Sequence, residues 1–294
     1  MLDVIIALTP ALIAATILFG PRVLLLTAVT ISAAVLWEWL FRLITKRDRS
    51  SVWNLSAVVT GLVMALGIPA NTPLWIAAVS AGVAIVVVKE LFGGLGRNLI
   101  NPALIGHIVT VQLARFFVSP LGYPIPMAWM ESLGYRGVDT VTMATPLRLL
   151  ERGMELPGLR ELFLGIHPGC MGETSILALL LGAGYLVYRR VISPVIPLCY
   201  IGAALLVVTV AGHSPLVHLL SGSLVFVAFF MATDYTTSPI NFTGRVIFGI
   251  GCGLITALVR LYGNPTEGVT AALIIMNLLV PIIERLTLPK YHSS

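Results

Sequence analysis

Residues 81–88 read AGVAIVVV, an unbroken apolar run that decides how the rest of the chain is interpreted. A strand of a membrane β-barrel alternates apolar and polar residues with a period of two, and this run does not alternate. A helix that is apolar on every side is instead typical of a membrane span or a deep core. The run therefore excludes a β-barrel and indicates a helical protein.

The composition of the whole chain agrees with this interpretation. Hydrophobic residues make up 57% of the 294 positions and charged residues 11%, with a mean hydropathy of +0.97. Soluble domains carry roughly 25% charged residues. A membrane-spanning helix needs about 20 mostly apolar residues. The sequence thus predicts an all-α integral membrane protein with about ten transmembrane helices, at 2–19, 23–41, 52–70, 74–92, 99–118, 173–188, 191–211, 214–232, 245–262 and 268–286.

The order of these segments predicts two halves. Residues 1–118 form a first five-helix membrane half, residues 119–171 a long loop outside the membrane, and residues 172–294 a second five-helix half. A duplicated unit with an odd number of spans is inserted upside down the second time. We therefore expect two inverted five-helix repeats.

Lys and Arg residues predict the orientation. Clusters at 42–49 and 189–190 lie in short loops that face the cytoplasm if the N-terminus does. Basic residues are enriched in cytoplasmic loops. We expect both termini in the cytoplasm and the long loop outside. Such clusters orient a chain in membrane lipid, so the net charge of +5 does not indicate a nucleic-acid partner.

The long loop contains a threonine-rich stretch, Asp139-Thr140-Val141-Thr142-Met143-Ala144-Thr145, followed by Pro146. Taken alone, this stretch is an ordinary polar turn. Proline favours an extended backbone at the residue before it, so we expect an extended and exposed Thr145 that an enzyme can reach.

The same stretch resembles the flavinylation motif D-x-x-[S/T]-x-A-T. In that motif a flavin transferase outside the membrane joins the phosphate of FMN to the last threonine through a phosphoester bond. Asp139, Thr142, Ala144 and Thr145 are in register, whereas Met143 stands where a small residue is expected. The resemblance implies covalent FMN at Thr145. Arg148 is the nearest arginine that can neutralise the flavin phosphate.

Two further stretches carry a resemblance to a known family. Residues 89–103 read KELFGGLGRNLINPA and residues 231–239 read MATDYTTSP. With the flavin motif, their order and spacing are similar to those of the D subunit in the Rnf ion-translocating electron-transport complex. They are also similar to those of the B subunit in the sodium-translocating NADH:quinone reductase. The resemblance covers essentially the whole chain.

The resemblance implies a membrane protein that carries electrons through FMN between ferredoxin and NAD. It implies coupling to Na⁺ or H⁺ translocation, other subunits of an Rnf-type complex as partners, and the inner or plasma membrane of a bacterium or archaeon. It also implies a second, non-covalent flavin such as riboflavin. The chain has no dinucleotide fingerprint between a strand and a helix, so we expect NAD and ferredoxin to bind other subunits.

A few ionisable residues lie near or within the apolar segments. Asp234 precedes the hydroxyl-rich residues 236–238, and oxygen ligands suit a hard cation. With Glu90 and His107, Asp234 is our candidate for an ion pathway. The simpler interpretations are a helix end at Asp234, an interfacial Lys89–Glu90 pair, and a histidine bonded to a neighbouring helix.

Other polar residues are expected to have structural roles. Glu38 lies between two tryptophans, as an interfacial anchor would. His167, Glu161 and Glu173 are expected to be solvated loop residues. The three cysteines lack metal-ligand spacing and are expected to be small hydrophobic residues within helices, namely Cys170, Cys199 and Cys252.

Two other functions remain open on the residues alone. Ten helices with few buried charges also suit a channel or transporter for a small neutral solute. A membrane scaffold with an unmodified Thr145 is the third hypothesis. A flavin on Thr145 would separate electron transfer from both, because a simple permease has no use for one.

Overall fold

A computed structural model describes residues 1–47, 54–118, 122–126 and 142–287. Within these ranges the chain is an all-α membrane protein whose sheet is limited to one short pair. The helices are α1 (Leu2–Phe19), α2 (Arg22–Ile44), α3 (Ser56–Leu66), α4 (Leu74–Gly82, continued by a π-helix at Val83–Glu90), α5 (Pro102–Phe117), α6 (Pro146–Glu151), α7 (Leu159–Leu164), α8 (Ile176–Tyr188), α9 (Val195–Val210), α10 (Pro215–Leu220), α11 (Leu224–Phe230), α12 (Phe242–Tyr262) and α13 (Gly268–Thr287).

Each of the ten predicted segments contains a helix. By length and composition, four of the described helices can cross a membrane, namely α1, α2, α12 and α13. The prediction of an all-α membrane protein is confirmed. The remaining segments hold shorter or interrupted helices.

The third segment is shorter than predicted. The expected span 52–70 contains α3, which has 11 residues and ends at Gly67. Residues 67–73 then run as a turn to the next helix, and Pro69 lies within them. Proline cannot donate the backbone bond that would continue a helix.

The eighth segment is broken in the middle. Ser221 has an extended backbone and Gly222 a φ of 69°, so the expected span 214–232 divides into α10 and α11. The Arg260 guanidinium donates to the carbonyl oxygens of His218 (2.6 Å) and Ser221 (3.2 Å). These bonds satisfy carbonyl groups that the break leaves without helical partners, as a broken helix at membrane depth requires.

The two predicted halves share several helix contacts. In the first half α1 packs on α3, α2 on both α3 and α4, and α4 on α5. The corresponding helices of the second half make the same contacts, since α8 packs on α11, α9 on both α11 and α12, and α12 on α13. The halves meet where α1 packs on α8. The duplication, its inverted orientation and its boundaries stay predictions.

The described part of the long loop packs onto the helices. Tyr123–Pro124 (β1) pairs antiparallel with Thr142–Met143 (β2). The amide of Gly172 donates to the carbonyl of Leu66 (2.6 Å), which holds residues 165–175 against the end of α3.

The expectation that His167 and Glu173 are solvated was therefore wrong. The side chains of His167 and Glu173 are only 1% and 9% exposed. Glu161 is partly exposed and caps α7 by accepting a bond from the Gly158 amide (2.9 Å). Cys170, which was expected to lie in a helix, is buried in the segment 165–175.

Candidate functional site

Thr145 lies immediately before α6, with φ −65° and ψ 158°. The predicted extended backbone is present. The predicted exposure was wrong, because Thr145 is only 7% exposed and borders a cavity that the β1–β2 pair also borders. A threonine before a helix normally caps it with its hydroxyl group. Here the hydroxyl makes no capping bond, and Oγ1 has no hydrogen-bond partner among the described residues.

The cavity beside Thr145 has a volume of about 390 Å³. The motif residues Thr142 and Ala144 border it together with Arg148, whereas Asp139 lies outside the described residues. Tyr123 borders it from β1, and burial raises the pKa of its hydroxyl, which therefore stays protonated.

Arg115, at the end of α5, also borders this cavity and was missed in the sequence. It lies 30 positions before Thr145, so proximity along the chain could not identify it. Arg115 pairs with Glu267 (2.7 Å) and Arg148 with Glu151 (2.9 Å). A guanidinium has five donors, so each arginine keeps groups that can bind an anion in the cavity.

A second cavity of about 210 Å³ adjoins the first one between α5 and α13. Val111, Arg115, Tyr123 and Thr266 border both. We call the two together the outer cavity. Its other end is bordered by His107 and by both apolar and polar side chains of the two helices.

A separate cavity of about 290 Å³ lies at the other end of α5. We call it the inner cavity. It is bordered by apolar residues of several helices and by polar residues that include Ser56, Lys89, Asn98, Asn101 and Asp234. Asn98 is 7% exposed, and its Oδ1 has no hydrogen-bond partner within the described ranges.

Asn101 connects the two halves at the inner cavity. Its side chain caps α5 and donates to the carbonyl of Met231 at the end of α11 (3.3 Å). The side-chain amide of Asn277 in α13 is oriented to satisfy both of its neighbours. Its oxygen accepts from the backbone N–H of Asn101 (3.2 Å), and its nitrogen donates to the backbone carbonyl of Thr237 (3.0 Å). Residues 231–237 are therefore fixed by one asparagine from each half.

Four charged side chains form a buried cluster beside the inner cavity. Lys89 donates to Glu38 (3.0 Å) and to Ser56, and Arg42 pairs with Glu90 (2.9 Å). Glu38 and Glu90 are fully buried and Lys89 is 1% exposed, so these side chains pack inside the protein. Ion pairing between distant segments allows these charges to be buried. Their predicted position at the membrane interface stays a prediction.

The three candidate ion-pathway residues do not lie together. Asp234 borders the inner cavity, Glu90 is in the buried cluster, and His107 borders the outer cavity. Asp234 accepts from the hydroxyls of Thr236 (2.9 Å) and Thr237 (3.3 Å), as its position predicts. Burial raises the pKa of its carboxyl group, although both hydroxyl bonds oppose this shift.

The three stretches that carry the family resemblance border the two cavities or the buried cluster. The model of the NQR2, RnfD, RnfE family matches residues 1–293. The chain belongs to this family.

Several curated members of the NQR2, RnfD, RnfE family are similar to this chain over nearly its full length. The D subunit of the Na⁺-translocating ferredoxin:NAD⁺ oxidoreductase complex of Acetobacterium woodii is 42% identical, with 100% of this chain and 90% of that protein covered. The D subunit of the proton-translocating complex of Clostridium ljungdahlii is 35% identical, with 98% and 89% covered. The D subunit of an ion-translocating oxidoreductase complex of Halorhodospira halophila is 33% identical, with 100% and 90% covered.

Proposed function

We propose that this chain is the D subunit of an Rnf-type ferredoxin:NAD oxidoreductase complex. In this proposal, FMN attached to Thr145 carries electrons, and electron flow drives Na⁺ or H⁺ across the bacterial or archaeal plasma membrane. The observation that carries the proposal is the Thr145 hydroxyl, which is buried, unpartnered among the described residues and beside a cavity with two arginines. Family membership supports the redox function over a solute channel.

The residues around Thr145 fit a flavin phosphate. A phosphodiester carries one negative charge, and Arg115 and Arg148 border the cavity where it would lie. Guanidinium groups bind phosphate oxygens through charge-assisted hydrogen bonds. The Tyr123 hydroxyl can donate a further bond because it stays protonated.

The end of the outer cavity bordered by His107 fits the flavin ring. Its walls combine apolar side chains of α5 and α13 with polar groups that include His107, Gln112, Glu267 and Thr270. Apolar surface with placed polar groups is typical of cofactor sites. FMN supplies the ability to pass electrons singly or in pairs, whereas the chain sets its position and surroundings.

Attachment by a flavin transferase requires access to Thr145. Because this residue is 7% exposed in the folded chain, we expect the transferase to act before the β1–β2 pair closes, or while it is open. Because the loop is predicted to lie outside the membrane, we expect the transferase to attach FMN on that side.

The inner cavity is the place we propose for the second, non-covalent flavin, such as riboflavin. Lys89 and Asn101 supply polar groups at its edge, and Phe229 and Phe230 supply aromatic surface. The unpartnered Asn98 carbonyl oxygen can accept a bond from a ring N–H group.

Asp234 is the residue that we propose for cation handling. It borders the inner cavity, and it has no cationic partner within 4 Å among the described residues. Glu90 is a weaker candidate because Arg42 already neutralises it. The relatives named above include both Na⁺- and proton-translocating complexes, so the ion itself needs measurement.

The test of the proposal is the intact mass of the chain after co-expression with a flavin transferase. We expect a gain of one FMN minus water in the wild type and in Thr145→Ser, which keeps a hydroxyl group, but none in Thr145→Ala. Thr266→Ala is the matched control, because Thr266 borders the same cavity outside the motif. An unmodified wild type, with the transferase active on another substrate, would refute covalent flavinylation and favour the channel or scaffold.

A further inference from the structure

A third cavity, of about 310 Å³, lies beside the inner cavity and contains two arginines. Arg190 follows α8, and Arg245 is in the first turn of α12. Ser193, Thr233 and Ser238 add hydroxyl groups to its wall. We call this cavity the arginine pocket.

Both arginines have donors available. Neither makes an ion pair with a carboxylate within 4 Å among the described residues. Arg245 uses Nε to bind the carbonyl of Pro239 (3.2 Å), which leaves its two terminal nitrogens. Ser193 accepts a long bond from the Val195 amide (3.5 Å), so its own hydroxyl proton can be donated. The described side chains that border the pocket include no carboxylate.

The backbone of Arg190 is a second, independent observation. Arg190 has φ 55°, in the left-handed region, and it directly follows the C-cap of α8. Glycine is the usual residue at such a position. The first helix of the other half, α1, does end on a glycine, since Gly20 has φ 84°. A left-handed backbone at a residue other than glycine costs free energy, and Lys46 after the C-cap of α2 adopts it as well.

The residues near the arginine pocket indicate that it faces membrane lipid. Tyr235 on its wall is 69% exposed, and large apolar side chains within three positions of its lining residues are also strongly exposed, including Tyr188 (85%), Leu198 (64%) and Phe242 (69%). In a membrane protein, such residues contact lipid. The pocket also lies on the side that the distribution of Lys and Arg assigns to the cytoplasm, where anionic lipids are enriched.

We propose that the arginine pocket binds the phosphate group of an anionic phospholipid, with the acyl chains along the apolar rim. Two guanidinium groups and a serine hydroxyl match the oxygens of a phosphodiester. Basic pockets between helices on the cytoplasmic side bind anionic headgroups of this kind. The proposal does not depend on flavin at Thr145.

The test is native mass spectrometry of the full chain in nanodiscs that contain phosphatidylcholine with phosphatidylglycerol or cardiolipin. We expect anionic lipid to remain bound to the wild type and to be retained roughly fivefold less in Arg190→Gly and in Arg245→Gln. Arg190→Gly cannot fail through backbone strain, because glycine suits φ 55°. Its melting temperature should equal or exceed that of the wild type.

Arg189→Gln is the matched control. It removes the same charge at the adjacent position, but Arg189 pairs with Asp3 (3.2 Å) and does not border the pocket. Equal lipid retention in all variants would overturn the proposal, as would an equal loss in Arg189→Gln. If the Arg190 and Arg245 variants lost non-covalently bound FMN but kept anionic lipid, the pocket would bind the phosphate of a nucleotide. If inorganic phosphate alone displaced the bound lipid, the pocket would be a site for a free anion. Both outcomes would refute the lipid site.

Discussion

The Lys89 ammonium group lies 3.0 Å from the Glu38 carboxylate, 51 positions away in the sequence, and both side chains are almost completely buried. Arg42 lies 3.5 Å from the same carboxylate and pairs with Glu90, so the cluster contains two positive and two negative groups. Charges inside a membrane protein pair with one another or with backbone carbonyl groups. The pairing fixes α2 against the end of the π-helix at the wall of the inner cavity.

Removing one member of this cluster should be costly. In Glu38→Ala, Lys89 stays buried without its nearest partner, and we expect the free energy of unfolding to fall by about 3–5 kcal/mol. The double variant Glu38→Gln/Lys89→Met removes both charges and should lose less. Thermal unfolding in detergent measures the difference, with Glu155→Ala as the control at an exposed position. A double variant that is less stable than Glu38→Ala would contradict this account.

The contact between the halves should depend on one glycine. A Cβ atom at Gly182 of α8 would overlap the Ala7 carbonyl group of α1, whereas one at Gly184 would meet nothing within 4 Å. We expect Gly182→Ala to lower stability by about 1–3 kcal/mol through overpacking. Gly184→Ala, on the same helix, should be neutral. Equal melting temperatures for the two variants would show that the helices do not approach as closely as described.

Arg115 should influence the flavin that we propose on Thr145. A nearby positive charge stabilises the reduced, more negative flavin, so Arg115→Gln should lower its midpoint potential. Arg115 is half-exposed, so we expect about 10–30 mV, or about 0.5–1.4 kcal/mol for two electrons. A redox titration of the flavinylated chain measures the shift.

The control for this titration is Arg152→Gln, which removes an exposed arginine that does not border the cavity. The same shift in both variants would indicate a general effect of net charge and not a contact with the flavin.

His167 should make stability depend on pH. Burial lowers the pKa of this histidine below its usual value of 6.5, so the unfolded chain takes up its proton first as the pH falls. The stabilisation is present above about pH 6.5 and is lost as the pH falls through the lower pKa of the folded chain. We expect the melting temperature to drop between pH 7.5 and 5.5, and to drop less in His167→Gln. His213→Gln, at an exposed position, should behave like the wild type.

Asp234 should affect the cation dependence of the complete complex. In membranes that contain all subunits, Asp234→Asn should raise the cation concentration for half-maximal ferredoxin-driven NAD reduction about tenfold, equivalent to about 1.4 kcal/mol. Glu155→Gln is the control, since Glu155 is exposed and does not border the inner cavity. An unchanged cation dependence in Asp234→Asn would remove this residue from the proposed pathway.

The sequence predicts the apolar segments well, because each membrane helix carries its own compositional signal. It overextends α3, which ends before Pro69, and it misses the break between α10 and α11, where Arg260 bonds the freed carbonyl groups through tertiary contacts. The cluster around Glu38 was missed for the same reason, since its partner Lys89 lies on another helix.

The candidate site, like the fold, was predicted from the sequence only in part. The motif predicts Thr145 as the flavin site, which stays a prediction, and Pro146 correctly predicts the extended backbone of Thr145. The burial of Thr145 and the contribution of Arg115 arise from the β1–β2 pair and from the end of α5, so no local pattern contains them.

The spacing of the two cavities along α5 has an electrical consequence. Ala103 borders the inner cavity and His107 the outer cavity, so about 6 Å of helix separates them, against roughly 30 Å for the hydrocarbon core. Where both cavities contain water or other polarisable groups, most of the transmembrane voltage falls across this single turn. In the proposed relay, an electron that passes between the cavities performs nearly all of its work against the field there, about 2.3 kcal/mol for each 100 mV.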